Sequence, residues 1–218
     1  MKRSLPLWNS FFALTLLLAC SSPKSLITKH TEQFYTIDAS LGKDSLMQAF
    51  LSPYKKGVDT IMQGVLAYSD VPLTKAQPEC TMGNLIADAQ LVSARKIDSN
   101  VTISVVNYRG VRINFIAAGA ITRGLVYEVM PFENSLFVVG LKGSKIKEMG
   151  IYLMADKKAH PMHGIRFFVD KNDLTVKRIE INGKPLDDER IYYIATSDYL
   201  SNGGDNMNFF KESVEKYD

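Results

Sequence analysis

Strand-like and helix-like segments succeed one another in this chain without a regular strand–helix–strand period, and that irregular order constrains the fold most. A regular alternation would point to a parallel sheet wrapped by helices; the mixture found here predicts an α+β fold, with mixed β-sheets and packed helices. Met47, Phe50, Leu51, Tyr54, Val58, Ile61, Met62 and Val65 recur at three- and four-residue steps, which predicts an amphipathic helix, bent or restarted at Pro53. Gln33 to Ala39 reads as a first strand and Val65 to Tyr68 as another, followed over 69–79 by a loop with two prolines. Thr81 is the expected N-cap of a helix that turns Leu85, Ile86, Ala89 and Val92 inward. Val101 to Val106 is a β-rich run, Thr122 to Met130 a short helix stopped by Pro131, and Ser135 to Leu141 a strand. Ser144 is the expected N-cap of a helix running to Met154, and Ile165 to Val169, Leu174 to Ile181 and Ile191 to Ala195 are three further strands. There is no internal repeat and no low-complexity tract.

The first twenty residues are set aside from the fold. Lys2 and Arg3 form a basic start, Phe11 to Leu18 an apolar run too short to span a bilayer, and Ala19-Cys20 a lipoprotein cleavage site. Residues 1–20 are thus expected to be a signal peptide, with Cys20 acylated as a membrane anchor in the bacterial cell envelope, facing the periplasm or the outside. Residues 21–32 read as a polar tether and 33–218 as a domain. The formal charge of +3 falls to +1 once Lys2 and Arg3 are removed, which is no footprint for nucleic acid. Cys80 would then be the only cysteine besides the acylated one, with no intrachain disulfide possible, and it reads as a small buried side chain.

Bond-breaking chemistry has few candidates. His160 and His163 share one loop and read as surface residues, because no further ligands follow at zinc spacing. The paired Asp/His runs that would hold two metal ions are missing, as are P-loop, dinucleotide and G-x-S-x-G motifs. Groups suited to gripping a ligand remain. Arg112 follows a strand and can bind a phosphate or sugar oxygen bidentately, or it is an ordinary surface arginine. Phe132, in Pro131-Phe132-Glu133-Asn134, and Tyr199 are each either a core ring or a stacking platform. Gly203-Gly204-Asp205 either presents a carboxylate on a closely approaching backbone or is a plain turn.

Taken in order, these pieces resemble one family. Thr81 to Ala89 resembles a segment x-x-G-N-L-x-x-D-A, and Asn107 to Arg112 resembles N-G-G-G-I-R. Gly119 to Thr122 fits G-x-I-T, Phe132 and Asn134 fit P-F-x-N, and Tyr199 to Asp205 fits F/Y-L-x-x-G-G-D. The set resembles the C-terminal domain of 5′-nucleotidases and UDP-sugar hydrolases over about residues 45–212. The resemblance implies that Phe132 and Tyr199 sandwich a base and that Asp205, on the Gly203-Gly204 turn, takes the ribose hydroxyls. It implies that Asn107 contacts the base, that Arg112 faces the sugar–phosphate side, and that Asn134 adds a polar contact. On this reading Tyr199 acts through its ring and not its hydroxyl. Two departures stand out. Tyr108 and Arg109 replace the middle glycines, and a second ligand-facing arginine has no counterpart in 76–80, where Lys75 is the nearest substitute. The family's metallophosphatase domain has no motif here. The implied function is the nucleotide- or nucleoside-recognising subunit of a split 5′-nucleotidase, with no cofactor in this chain and divalent metals on a separate metallophosphatase chain. The rivals are a lipid-anchored nucleoside- or nucleotide-binding module and a domain whose site has drifted.

Overall fold

The computed structural model describes residues 31–38 and 40–218. The signal peptide, Cys20, His30 and all but the end of the tether therefore lie outside the described residues. The chain divides into two compact units, Met1–Gln48 and Ala49–Asp218. In the first, residues 33–38 form no strand, contrary to the expectation, and Phe34, Tyr35 and Ile37 are exposed. A lone extended segment has no ladder partner to satisfy its backbone, so β-rich composition alone does not make a strand. Helix α1 runs Ser45–Met62, so the division falls within it. The Asp44 carboxylate caps it by accepting the Leu46 and Met47 amides at 2.9 and 3.0 Å. Pro53 sits inside one continuous helical run, and no residue of α1 is buried.

The second unit continues with β1 (Val65–Ser69), β2 (Leu73–Thr74), α2 (Thr81–Ala94), β3 (Ile103–Val105), β4 (Phe115–Ile116), β5 (Gly119–Thr122) and α3 (Arg123–Val129). After these come β6 (Leu136–Lys142), α4 (Gly143–Asp156), β7 (Met162–His163), β8 (Ile165–Val169), β9 (Val176–Ile181) and β10 (Lys184–Pro185). The chain ends with β11 (Ile191–Ser197), α5 (Asp198–Ser201) and β12 (Glu215–Tyr217). The principal sheet has the order β12-β6-β11-β3-β7, and β10-β9-β8 form a second, antiparallel sheet. The pairs β1-β5 and β2-β4 are separate two-stranded ribbons. In the principal sheet β11 pairs parallel with β3 and antiparallel with β6. The fold is therefore α+β with mixed sheets, as expected.

Residues alternate across the sheet, and each face has its own cover. Val139, Leu141, Tyr192 and Ile194 point to the side where Ile146, Met149 and Leu153 of α4 complete the largest core cluster. Val138 and Ala195 point the other way, against Leu91 and Ala94 of α2. The inward face of α2 is thus Met82, Gly83, Ala87, Leu91 and Ala94, not the stripe through Leu85 and Val92, which are 46% and 58% exposed. Small residues on that face let the helix approach the sheet, and Gln90 beside them donates to Ser104 Oγ, Val105 O and Ala195 O. Two caps also differ from expectation. The N-cap of α2 is Cys80, whose half-buried sulfur accepts the Gly83 amide at 3.3 Å. Helix α4 starts one residue before Ser144, with Lys142 at the N-cap and no side-chain cap bond.

Candidate functional site

Parallel pairing puts the carboxyl ends of β3 and β11 at one edge of the sheet, and the antiparallel β6 begins at that same edge. Three loops therefore meet there: Asn107–Arg112 after β3, Pro131–Ser135 before β6, and the stretch from Asp198 to Asn206 after β11. Backbone bonds tie them together. The Asp198 amide donates to Ser135 O at 2.9 Å, and the Arg112 amide donates to Val129 O at 2.8 Å, just ahead of Pro131. Residues far apart in sequence become neighbours through this topology.

The rings carried by this edge are not core rings: Phe132 is 47% exposed and Tyr199 is 44% exposed. The Arg112 guanidinium lies 5.9 Å from the centre of the Phe132 ring, within cation–π range. Asn134 is exposed beside it. Tyr199 is fixed by its own loop. Its hydroxyl accepts the Asp205 amide and donates to Asp205 Oδ1, both at 3.0 Å. The hydroxyl thus latches Asp205 in place, a role that a reading of the ring alone does not supply. Gly204 must lack a side chain, because a Cβ there would meet the Tyr199 ring at 2.5 Å. Gly203 takes φ +84°, and Asp205 itself sits at φ 51°, a left-handed conformation that costs about 1–2 kcal/mol. Asp205 Oδ2 is the one buried side-chain atom among the described residues with no hydrogen-bond partner. Unmet buried acceptors are rare and cost about 1–3 kcal/mol, so this oxygen calls for a donor from outside the chain.

The first loop is braced from below. Asn107 is buried, and its Oδ1 would lie 2.6 Å from a Cβ at Gly110. Lys75 lies beside Tyr108, with its ammonium 4.1 Å from the ring centre, and donates to Val111 O at 2.6 Å. Burial, and then the nearby Arg112 guanidinium, hold that ammonium below the usual lysine range. Lys75 therefore lies close to Arg112, which puts two cations side by side. His160 differs from expectation: it is buried, not on the surface, with its ring near Tyr152 and its Nδ1 accepting the Tyr108 amide at 3.2 Å. His163 remains half-exposed and bonds Asp88 Oδ1 through Nδ1 at 2.6 Å.

Tyr152 escaped the sequence reading altogether. It lies in α4 and its hydroxyl donates to Asp205 O at 2.6 Å. Inside an amphipathic helix it has the signature of an ordinary packing residue, and nothing in the sequence marks it otherwise. A cavity of about 630 Å³ is lined by Tyr108, Asp88, His160 and His163 among others, and reaches neither Phe132 nor Tyr199. The two rings stand on an open edge, not in an enclosed hole. Among the described residues no three His, Cys, Asp or Glu side chains are arranged to hold a metal ion.

The chain belongs to the 5′-nucleotidase C-terminal domain family, whose model matches residues 62–212. It is 30% identical over 181 residues to the trifunctional nucleotide phosphoesterase of Bacillus subtilis, covering 75% of this chain and 12% of that protein. It is 32% identical over 148 residues to a cell wall protein of Listeria monocytogenes, covering 62% of this chain and 19% of that one. The crystal structure of a 5′-nucleotidase precursor from Thermus thermophilus superposes with a TM-score of 0.68 at 30% identity, covering 79% of this chain and 37% of that chain. This chain thus corresponds to a minor part of each relative's length.

Proposed function

We propose that this chain recognises the nucleotide for a 5′-nucleotidase-type phosphoester hydrolase whose metal-dependent catalytic domain is a metallophosphatase on a separate chain. One observation carries the reading. Two half-exposed rings, Phe132 and Tyr199, stand at the same sheet edge as a carboxylate, Asp205, with an unmet buried oxygen. Flat apolar faces suit a base, and a carboxylate with a spare acceptor suits ribose hydroxyls. Arg112, with Lys75 beside it, suits the phosphate side. Asn107 contributes a base contact and Asn134 a polar one, while Gly203 and Gly204 let the Asp205 loop close on Tyr199. Membership in the family and the likeness to a nucleotide phosphoesterase support this assignment. The divalent metals belong to the partner. Acylated Cys20 anchors the protein in the cell envelope, a location that the likeness to a cell wall protein supports.

Two measurements test this. The purified mature chain should release no phosphate from AMP with Mn²⁺, Zn²⁺ or Co²⁺, whereas material affinity-purified from native membranes should bring a metallophosphatase and the activity with it. Metal-dependent release by the pure chain, abolished by His160→Ala or His163→Ala, would falsify the split arrangement. Separately, Cys20→Ala should abolish lipid labelling and processing. Normal maturation and membrane retention of that variant would remove the anchor from the reading.

A further inference from the structure

We propose that His160 is a positioning residue, whose neutral ring holds the loop bearing Asn107 and Arg112 in its ligand-binding form, so that binding is lost as the ring takes up a proton. The inference rests on the reading of this edge as a nucleotide site. Its geometry stands on its own.

His160 is 6% exposed, and its Nδ1 lies 3.2 Å from the Tyr108 amide nitrogen. A backbone amide can only donate, so Nδ1 must be the acceptor and carry no proton. The next residue grips the same loop, since the Val106 amide donates to Pro161 O at 2.9 Å. Residues 160 and 161 therefore hold the start of the loop at two points two residues apart. On its other side the His160 ring packs near Tyr152, with ring centres 6.4 Å apart, and the Tyr152 hydroxyl holds Asp205 O. One layer, buried His160 and half-buried Tyr152, thus supports both the loop with Asn107 and Arg112 and the loop with Tyr199 and Asp205.

Protonation would turn Nδ1 into a donor aimed at another donor. The Tyr108 amide would lose its only bond to this ring, and the loop would have to move. The groups facing the ring act in opposite directions. Burial is the largest influence and disfavours the charged form, and Arg109 on the loop adds to it; Asp205, Asp156 on α4 and a backbone bond with Val106 favour the charged form. The balance leaves the ring below the usual histidine value, so it is neutral near pH 7. Binding should therefore be complete above the usual value and fall away as pH drops through the lowered one.

The test measures AMP affinity by calorimetry on the whole chain between pH 5 and pH 8, alongside amide and imidazole NMR of the ligand-free protein. Wild type should weaken as pH falls through the His160 midpoint read by NMR, by about tenfold or more once the ring is fully charged, the scale of a buried donor losing its acceptor. His160→Gln keeps an acceptor at every pH, so it should bind at pH 8 much as wild type does and show a flatter profile. Because AMP itself titrates in this range, the difference between wild type and His160→Gln is the readout. His160→Phe should bind weakly throughout. In the ligand-free protein the Tyr108 amide should shift with the same midpoint as the His160 ring. If wild type and His160→Gln share one profile, or if the Tyr108 amide ignores the titration of His160, the strut is wrong. If AMP binds at no pH while the Tyr108 amide does follow His160, the strut stands and the nucleotide assignment falls.

Discussion

Gly164→Ala should destabilise the domain by about 2–5 kcal/mol, combining left-handed strain with overpacking against a fixed backbone. Gly164 sits between β7 and β8, the link from the principal sheet to the antiparallel one. It takes φ +79°, and a Cβ there would lie 2.0 Å from the Thr102 carbonyl oxygen. That oxygen cannot rotate away as a side chain would, and Thr102 is itself pinned by its amide bond to Tyr193 O at 3.2 Å. The Gly164 carbonyl also accepts the Asn182 amide at 2.9 Å, so any local shift loosens the neighbouring hairpin. For a chain of this size the melting temperature should fall by roughly 5–20 °C. Gly183→Ala is the matched control. Gly183 has φ +76° but nothing within 4 Å of a Cβ, so strain acts there without a clash. Its cost should stay near 1 kcal/mol. Thermal unfolding of both variants decides the matter: equal losses would mean that the contact with Thr102 is not what makes Gly164 necessary.

The two glycines also mark where sequence reading reaches its limit. Long apolar runs identify themselves, and Ile165–Val169 forms the strand expected of it. Segments of two residues such as β2, β4, β7 and β10 carry no periodicity, so only their partners define them. The inward face of α2 differs from the expected stripe for a physical reason. Leu85 and Val92 are larger and more apolar than Gly83 and Ala87, yet the face turned inward mixes the small Gly83, Ala87 and Ala94 with Met82 and Leu91, so side-chain size and hydropathy do not mark its phase. Both misplaced caps have the same root. Thr81 and Ser144 are good capping residues, but the helices start where the preceding strand or loop delivers the chain, with the N-cap one residue earlier for α2 and two for α4.

The candidate edge was legible as a set of residues and illegible as a place. The loops of Asn107, Arg112, Phe132, Tyr199 and Asp205 come to one end of the sheet because β3 and β11 run parallel while β6 opposes them, which motif order alone cannot specify. Exposure settles what composition left open for Phe132 and Tyr199, since a core ring would not keep nearly half its surface in water. His160 went the other way. A histidine next to a proline in a loop reads as solvated, whereas its burial comes with partners distant in sequence, the Tyr108 amide 52 positions away among them.

Phe132→Ala and Tyr199→Ala should each weaken AMP affinity by about tenfold or more, and the double variant by roughly a hundredfold or more, since stacking is worth about 1–3 kcal/mol per base. The two single variants should differ in stability. Phe132 is 47% exposed and its ring has only the Arg112 guanidinium at 5.9 Å as a cation–π neighbour, so its loss should cost well under the ~3–5 kcal/mol of a core phenylalanine. Tyr199 latches Asp205 through two hydrogen bonds, so Tyr199→Ala removes a platform and frees the carboxylate together. Tyr199→Phe separates these roles. The ring remains for the base, while the Asp205 amide and Oδ1 lose their partner, at about 1–3 kcal/mol for a poorly solvated group. That variant should keep most of its affinity for the base yet discriminate ribose from 2′-deoxyribose less well, as Asp205→Ala should. Calorimetry with AMP and dAMP on the four single variants reads all of this directly. An unchanged affinity in Phe132→Ala would remove the clamp. A Tyr199→Phe variant that behaves like Tyr199→Ala would mean that the hydroxyl latch, and not the ring face, is what the ligand needs.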